Sequence, residues 1–499
     1  YLVKRVRAGE MPAGETRLTP HQIDTLVKWI AEGAQTARPE PDQIGPGIGI
    51  TAEERGWWAF RPLVRPPVPA TGPNARVRTP IDAFLAADLA RDRLALSPDA
   101  DRRTLARRAG LDLLGIPPEP EQLDRFIADP AVDAWERLLD RLLASPHYGE
   151  RWGRHWLDVA GYADSEGYTN RDDVRSDAWK YRDYVIRAFN DNKPFDRFVI
   201  EQLAGDELLT PPYRNLDPRG TELMTATGFL RMAADGTGSG ADSEVARNQV
   251  ITDTITIVST ALMGVSLRCA QCHDHRYDPI SQDDYYRVRA VFEPALNPKG
   301  WRTPGQRRMS LYSDADRDRA AVIEKEAKAL DAEKNSKRDG YIAQALTKEL
   351  MSFEEPLRGR LKAAKQAAAD KRTKEQQALL KKYPKLDVTG GNLYQYNQKH
   401  ADEIKEFDKR ITAIRAKKPT EQFLRVLTEV PGQVPETRLF HRGDHRQPRD
   451  VVKPGGLTVT APENQRLAIP DNAPDRPTTG RRLAFARWLA DPRSPLTAR

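Results

Sequence analysis

Cysteine is almost missing from this 499-residue chain, with two only, at Cys269 and Cys272. A disulfide-rich scaffold is therefore excluded. Apolar runs are short, and none approaches the roughly 20 residues of a membrane span, so no transmembrane segment is expected. Strand-like alternation is scarce, which points to helices. The chain opens Tyr1-Leu2-Val3 without an initiator Met or an apolar signal core. Any export signal has been removed or lies outside this piece, and its absence says nothing of compartment. What is present is enough for a core: 39 % apolar against 30 % charged residues, in a length that suggests about three domains. The net charge is +7 but uneven: 17 Lys/Arg face 13 Asp/Glu over 314–382, whereas 155–184 has 4 against 7 and 235–284 has 3 against 8. That distribution argues against a nucleic-acid partner.

Pattern divides the chain into six stretches. Residues 1–36 read as a small helical piece, where Thr19-Pro20-His21-Gln22 is a capping box followed by Ile23, Leu26, Val27 and Ile30. Residues 37–79 are a Pro/Gly/Thr-rich linker with an apolar patch at Trp57, Trp58 and Phe60, and Thr51 to Glu54 cap a short helix. Over 80–312 amphipathic helices alternate with polar loops. Their stripes are Trp135/Leu138/Leu139/Leu142/Leu143, Tyr181/Tyr184/Val185/Ala188 and Ile251/Ile255/Val258/Leu262, and Ser281 to Asp284 cap a fourth helix. Residues 313–420, rich in Ala, Lys, Glu and Arg, predict a protruding helical hairpin or coiled-coil arm, broken near Pro356 and after Tyr383-Pro384. Residues 421–479 form a Pro/Gly-rich tract with strand candidates at 423–430 and 457–460, and 480–499 begin a helical domain that is cut short. The expected fold class is mainly α, with a small β-containing tract.

Chemistry concentrates in Cys269-Ala270-Gln271-Cys272-His273, the spacing used for covalent c-type haem attachment. Two thiols three residues apart on a helical turn reach both vinyl groups of one porphyrin, and the adjacent imidazole meets the iron as proximal ligand. Both cysteines of the chain fall in this motif, so chance explains it poorly. A zinc site from Cys269, Cys272, His273 and His275 competes, but adjacent Cys and His rarely close one tetrahedron, and a second ligand pair is missing. A redox dithiol needs a βαβ context. Two packed free thiols are the bland alternative. The reading is one covalent haem c.

For a sixth ligand, His21, His400, His441 and His445 stand in distant segments, and His275 is too close to reach the opposite haem face. His147, His155, Met232 and Met263 remain. His155 lies in the aromatic run Arg151-Trp152-Gly153-Arg154-His155-Trp156, suited to packing on a porphyrin. It is otherwise a buried core histidine, or the sixth site is open. The acidic loop from Tyr162 to Asp173 carries Asp164, Glu166 and Tyr168, groups that hydrogen-bond a polyol or hold a hard cation. With His155 they are the candidate catalytic residues, a carboxylate or the imidazole accepting a proton. Helix caps and surface charges are the plain alternative for each carboxylate. Asp242 and Glu244 follow a glycine-rich stretch that lacks the setting of a phosphate loop. Asp274 and Asp278 flank the motif, placed to orient His273 or His275.

The stretch Leu142-Leu-Ala-Ser-Pro-His-Tyr-Gly-Glu-Arg-Trp-Gly-Arg-His-Trp-Leu-Asp158, then Tyr162-Ala-Asp164, then Cys269-Ala-Gln-Cys-His-Asp-His-Arg-Tyr-Asp-Pro-Ile-Ser281 resembles the planctomycete-type cytochrome c domain proteins. These pair two domains of unknown function with haem-attachment motifs. The resemblance covers roughly 80–295 and resumes at Arg442 to Gln447 and Gly480 to Leu489, which is similar to the opening of the family's second domain. Family members begin with a small cytochrome c domain bearing its own attachment motif and an axial Met. Here Gly9-Glu10-Met11-Pro12 and the helix over 19–33 resemble only its tail. Met11 would be that axial ligand, and a second haem c is expected only if the missing segment exists; otherwise Met11 is an ordinary core methionine. The chain looks like an internal piece of a longer protein. The resemblance implies an exported, periplasmic-type haem protein. The function expected is a haem c oxidoreductase passing electrons from a substrate, such as a sugar or polysaccharide, to a partner cytochrome. The alternatives are a non-catalytic electron-transfer or docking module with a six-coordinate haem, and a glycan-binding or structural protein with a structural haem.

Overall fold

The computed structural model describes residues 1–12, 17–35, 49–72, 76–167, 172–238, 240–461 and 469–497. It is 57 % helix and 3 % strand, so the mainly α expectation holds. The chain forms two compact units, one from residues 1–210, 222–307 and 425–499, the other from 211–221 and 308–424.

In the first unit, helix starts follow local chemistry. Thr19, Thr51 and Ser281 each accept a bond from the amide three residues on, and that third side chain bonds the cap's own amide. Both bonds satisfy donors that the first turn leaves without partners. The apolar stripes lie on the Ala134–Leu143, Trp179–Asn190 and Glu244–Met263 helices and bury Leu138, Leu142, Tyr184, Val185, Ile251, Ile255 and Val258. On the Pro146–Ala160 helix, Trp156 packs 4.9 Å from the Phe198 ring, and its indole N–H donates to Gln202 at 2.9 Å and to the Tyr181 hydroxyl at 3.0 Å. A buried indole requires such an acceptor. Gly149 and Gly153 let this helix lie close against Trp179–Asn190: a β-carbon at Gly149 would stand 2.4 Å from the Ile186 carbonyl oxygen.

The Arg481–Leu489 helix, expected to open a further domain, is packed here into the first unit's core through Phe485, Ala486 and Leu489. Its Arg482 side chain is wholly buried and bonds both Asp206 oxygens at 2.8 Å, with Glu207 at 3.2 Å and Glu429 at 3.7 Å. The N-terminal Pro20–Ala31 helix buries none of its residues. Met11 is 37 % exposed, which corrects its alternative reading as a core methionine.

The strands differ from expectation. Phe423–Arg425 is a short strand paired with Arg308–Ser310, but 457–460 is a 3-10 turn. The Thr458 amide and hydroxyl both donate to the Asp284 carboxylate, at 3.1 and 2.5 Å, and the Thr460 amide turns back to the Leu457 carbonyl, so the segment curls instead of extending into a ladder. The second strand pair, Arg438–Phe440 with Pro448–Val451, was not anticipated.

In the second unit the 37-residue Asp314–Leu350 helix runs antiparallel to Gln398–Arg415. Ala327, Leu330, Phe407 and Ile411 form the seam between them. Lys334 pairs with Asp408 at 3.0 Å and Lys337 with Glu403 at 2.6 Å, exposed bonds that contribute little. The Leu357–Gln366 and Lys374–Lys382 helices lie between, and the interruptions fall at Pro356 and at Tyr383-Pro384 as the sequence predicts.

Candidate functional site

The cysteine motif begins in the Leu267–Gln271 3-10 turn, which follows the Glu244–Met263 helix. In a 3-10 turn residues i and i+3 share a face. Leu267 and Ala270 accordingly face the core, while Cys269 and Cys272 are free, exposed thiols on the other side. The turn is pinned from behind. Gln282 Nε2 and the Tyr286 hydroxyl donate to the Gln271 carbonyl at 3.0 and 3.1 Å, and burial raises the Tyr286 phenol well above its ordinary range, which keeps it a donor.

The two histidines are held in opposite tautomers. His273 is exposed, and its Nδ1 lies 2.6 Å from the Asp274 carbonyl oxygen. A carbonyl only accepts, so Nδ1 carries the proton and the lone pair sits on Nε2, the arrangement of a metal-binding imidazole. His275 Nδ1 accepts from the amides of Asp278 at 2.9 Å and Tyr277 at 3.3 Å, while Nε2 lies 3.2 Å from Ser266 Oγ. Its ring is thus consumed in holding the loop. Asp278 supplies one of those amides, whereas Asp274 uses its carbonyl on His273 and its carboxylate on the Gln282 amide at 2.8 Å. Among the described residues no group of three or more His, Cys, Asp or Glu comes together as a metal-ion site. The donor set fits haem attachment: two accessible thiols on one face and one imidazole with a free lone pair.

Sequence reasoning set His441 aside as distant, yet the fold brings its segment against the motif. A β-carbon on Gly443 (φ +75°) would lie 2.6 Å from Cys272 Sγ, and Gln282 Nε2 also donates to the Phe440 carbonyl at 3.0 Å. The glycine in Arg442-Gly443-Asp444 was the one available signal of that approach.

His155 stands on the exposed face of its helix, edge-on to Trp152 at 5.5 Å. It is therefore not the buried core histidine offered as its alternative. Among the described residues no hydrogen bond, ring contact or ion pair joins it to 269–273. His147 bonds Glu150 at 2.7 Å, and Met232 and Met263 are buried in the core.

The acidic loop closes like a hairpin. Ser165 bridges Val174, the Glu166 amide donates to the Asp173 carbonyl at 2.9 Å, and the Arg175 amide donates to the Asp164 carbonyl at 2.7 Å. Tyr168 lies outside the described residues. Asp164 is exposed and accepts from the Tyr162 hydroxyl at 2.7 Å, and burial, then this carboxylate, push the Tyr162 phenol far up. Glu166 is buried, and both its oxygens are committed to guanidiniums, Arg175 at 3.3 Å and Arg425 at 2.5 Å. One side of the loop lines a cavity of about 350 Å³ with Glu166, Arg175, Met232, Asp253 and Thr256. Asp253 pairs at 2.6 Å with Arg268, the neighbour of Cys269, so one ion pair separates this cavity from the cysteine-bearing turn. Asp242 bonds Arg247 at 2.6 and 2.8 Å, and Glu244 is an acidic residue in the first turn of the helix that Ser243 caps.

Residues 80–296 match the PSCyt2 family model, described as a protein of unknown function (DUF1549). No curated protein and no solved structure matches the chain. Among the described residues no helix is long and apolar enough to cross a membrane.

Proposed function

We propose that a chain with this haem-attachment turn, set in a segment matching a family of unknown function, is an exported haem c oxidoreductase. It would pass electrons from a sugar or polysaccharide to a partner cytochrome. The observation that carries the reading is the turn itself, with Cys269 and Cys272 exposed on one face and His273 beside them, its Nδ1 committed to the Asp274 carbonyl so that Nε2 is the nitrogen left to bind a metal. Cys269 and Cys272 would hold the group covalently and His273 would be its proximal ligand. Bound there, haem c supplies one-electron chemistry.

The chain's own residues do the rest. The Asp274 carbonyl fixes the His273 ring, and Gln282 and Tyr286 keep the turn in register. The cavity beside Asp253 offers a hydroxyl, a guanidinium and carboxylates to sugar hydroxyl groups. Asp164, exposed at the mouth of the loop, is the proton acceptor of this reading. As a further residue that would hold the group, His441 has better support than His155, because its segment lies against Cys272. Export follows from the chemistry, since covalent haem is attached on the oxidising, exported side of the membrane.

One observation favours the second reading, a six-coordinate electron-transfer or docking module without catalysis: Glu166 is fully engaged by two arginines and is not a spare base. A pyridine haemochrome assay and intact mass after periplasmic production test both readings. One added haem and a Soret band are expected; an unmodified mass without Soret absorption sinks both. Carbon monoxide binding by the ferrous protein then favours catalysis at an open haem, and its failure excludes that open site while leaving catalysis beside a six-coordinate haem and the docking module.

A further inference from the structure

Five arginines from four stretches of the first unit gather around two carboxylates. Arg175, Arg231, Arg307 and Arg425 are buried and Arg302 is half-buried. Glu166 is taken by Arg175 and Arg425, and Asp235 by Arg307. Arg231 and Arg302 are left without an ion pair among the described residues. Arg231 is 6 % exposed, and its single hydrogen bond runs from Nε to the Val426 carbonyl at 3.1 Å. Arg302 bonds only through Nη2, to the Thr428 carbonyl at 2.8 Å and hydroxyl at 3.3 Å.

These two guanidiniums line one small cavity of about 10 Å³, together with Asn297, Gly300, Trp301 and Val430 and with no acidic residue. The carboxylates nearest in charge are Asp235 for Arg231 and Asp206 for Arg302, and they are bound to Arg307 and Arg482 respectively. Arg307 and Arg425 add further positive potential at Arg231. A guanidinium cannot shed its charge by losing a proton, and a buried charge without a counter-charge is strongly disfavoured. Water would fill the space but would not neutralise it.

We propose that this cavity binds one monatomic anion of the halide class, chloride in the physiological setting, between Arg231 and Arg302. A space of this size admits one water-sized particle, which excludes sulfate, phosphate and carboxylates. The anion would supply a counter-charge to Arg231 and Arg302 and fasten the 426–430 segment, through Val426 and Thr428, to the segment around residue 300.

The test uses the full chain in sodium gluconate, titrated with sodium chloride or bromide at constant ionic strength while thermal unfolding is followed. A saturable rise in Tm of several degrees is expected with both halides and none with sulfate, and R302Q should shift the half-saturation at least ten-fold. Because Arg231→Gln also removes the bond to Val426, a bromide-soaked crystal of the unaltered protein carries the second arm, with an anomalous peak expected within bonding reach of both guanidiniums. Equal Tm with and without halide, an unchanged half-saturation in R302Q, or water alone at the site would overturn the proposal.

Discussion

Replacing Glu207 by Gln tests the buried acidic cluster around Arg482. Three carboxylates converge on that one guanidinium. Asp206 bonds it through both oxygens, and Glu429 is served by the Thr479 amide and hydroxyl at 2.6 and 2.8 Å. Glu207 accepts from the Leu483 amide at 2.9 Å through one oxygen, while the other has no hydrogen-bond donor. Burial pushes the Glu207 carboxyl up from 4.5 to about 8, against the pull of Arg482 and with the push of Glu429 and Asp206. The folded protein thus holds this proton more tightly than the unfolded chain does. Its contribution to stability is complete below about pH 4.5 and is lost as pH rises through about 8. A tenfold difference in proton affinity between folded and unfolded chain is worth about 1.4 kcal/mol, so from pH 5 to 8 the loss reaches on the order of 4 kcal/mol if Glu207 titrates alone, less if its neighbours share the proton. Gln keeps an acceptor for Leu483 and cannot ionise. Urea unfolding of both proteins at pH 5, 6, 7 and 8 isolates the effect of Glu207 and the neighbours coupled to it, because the titrating groups outside this cluster cancel in the difference. E207Q should gain on the unaltered protein steadily as pH rises. Two parallel pH profiles would refute the reasoning.

Three further outcomes follow from the geometry. Gly443→Ala places a β-carbon 2.6 Å from Cys272 Sγ at φ +75°, so haem incorporation by intact mass should fall; full incorporation would show the approach to be unimportant. Gly149→Ala meets the Ile186 carbonyl oxygen at 2.4 Å, and forcing the two helices apart should cost about 1–3 kcal/mol in urea unfolding; an unchanged midpoint would contradict the close packing. In a haem-loaded, low-spin protein, His155→Ala should leave the visible spectrum intact while His441→Ala raises the high-spin fraction, and the reverse pattern would restore His155 as the ligand.

What the sequence disclosed was local. Thr19, Thr51 and Ser281 announce helix starts because a cap needs only its next three residues, and the leucine and isoleucine stripes announce faces because helical period is short-range. The Cys269-to-His273 spacing is local in the same way. The 457–460 segment reads as a strand because nothing nearby reveals that Asp284, 174 residues earlier, takes both Thr458 donors. His441 looked remote, and the arginine cluster left no trace, because its members come from four separate stretches. Gly149 and Gly153, four residues apart on one helix, did announce a close helix contact that could have been predicted.

The Arg482–Asp206 pair also has a consequence in time. The two residues are 276 positions apart, with the whole second unit's long stretch, 308–424, translated between them. At roughly 5–20 residues per second a ribosome needs about 15–55 s to cover that distance. During this interval Asp206 and Glu207 have emerged while Arg482, Phe485 and Leu489, which complete their surroundings, have not been made. The nascent first unit must therefore wait with its acidic pair and part of its apolar interior open to solvent, and it closes only once the Arg481–Leu489 helix has been made.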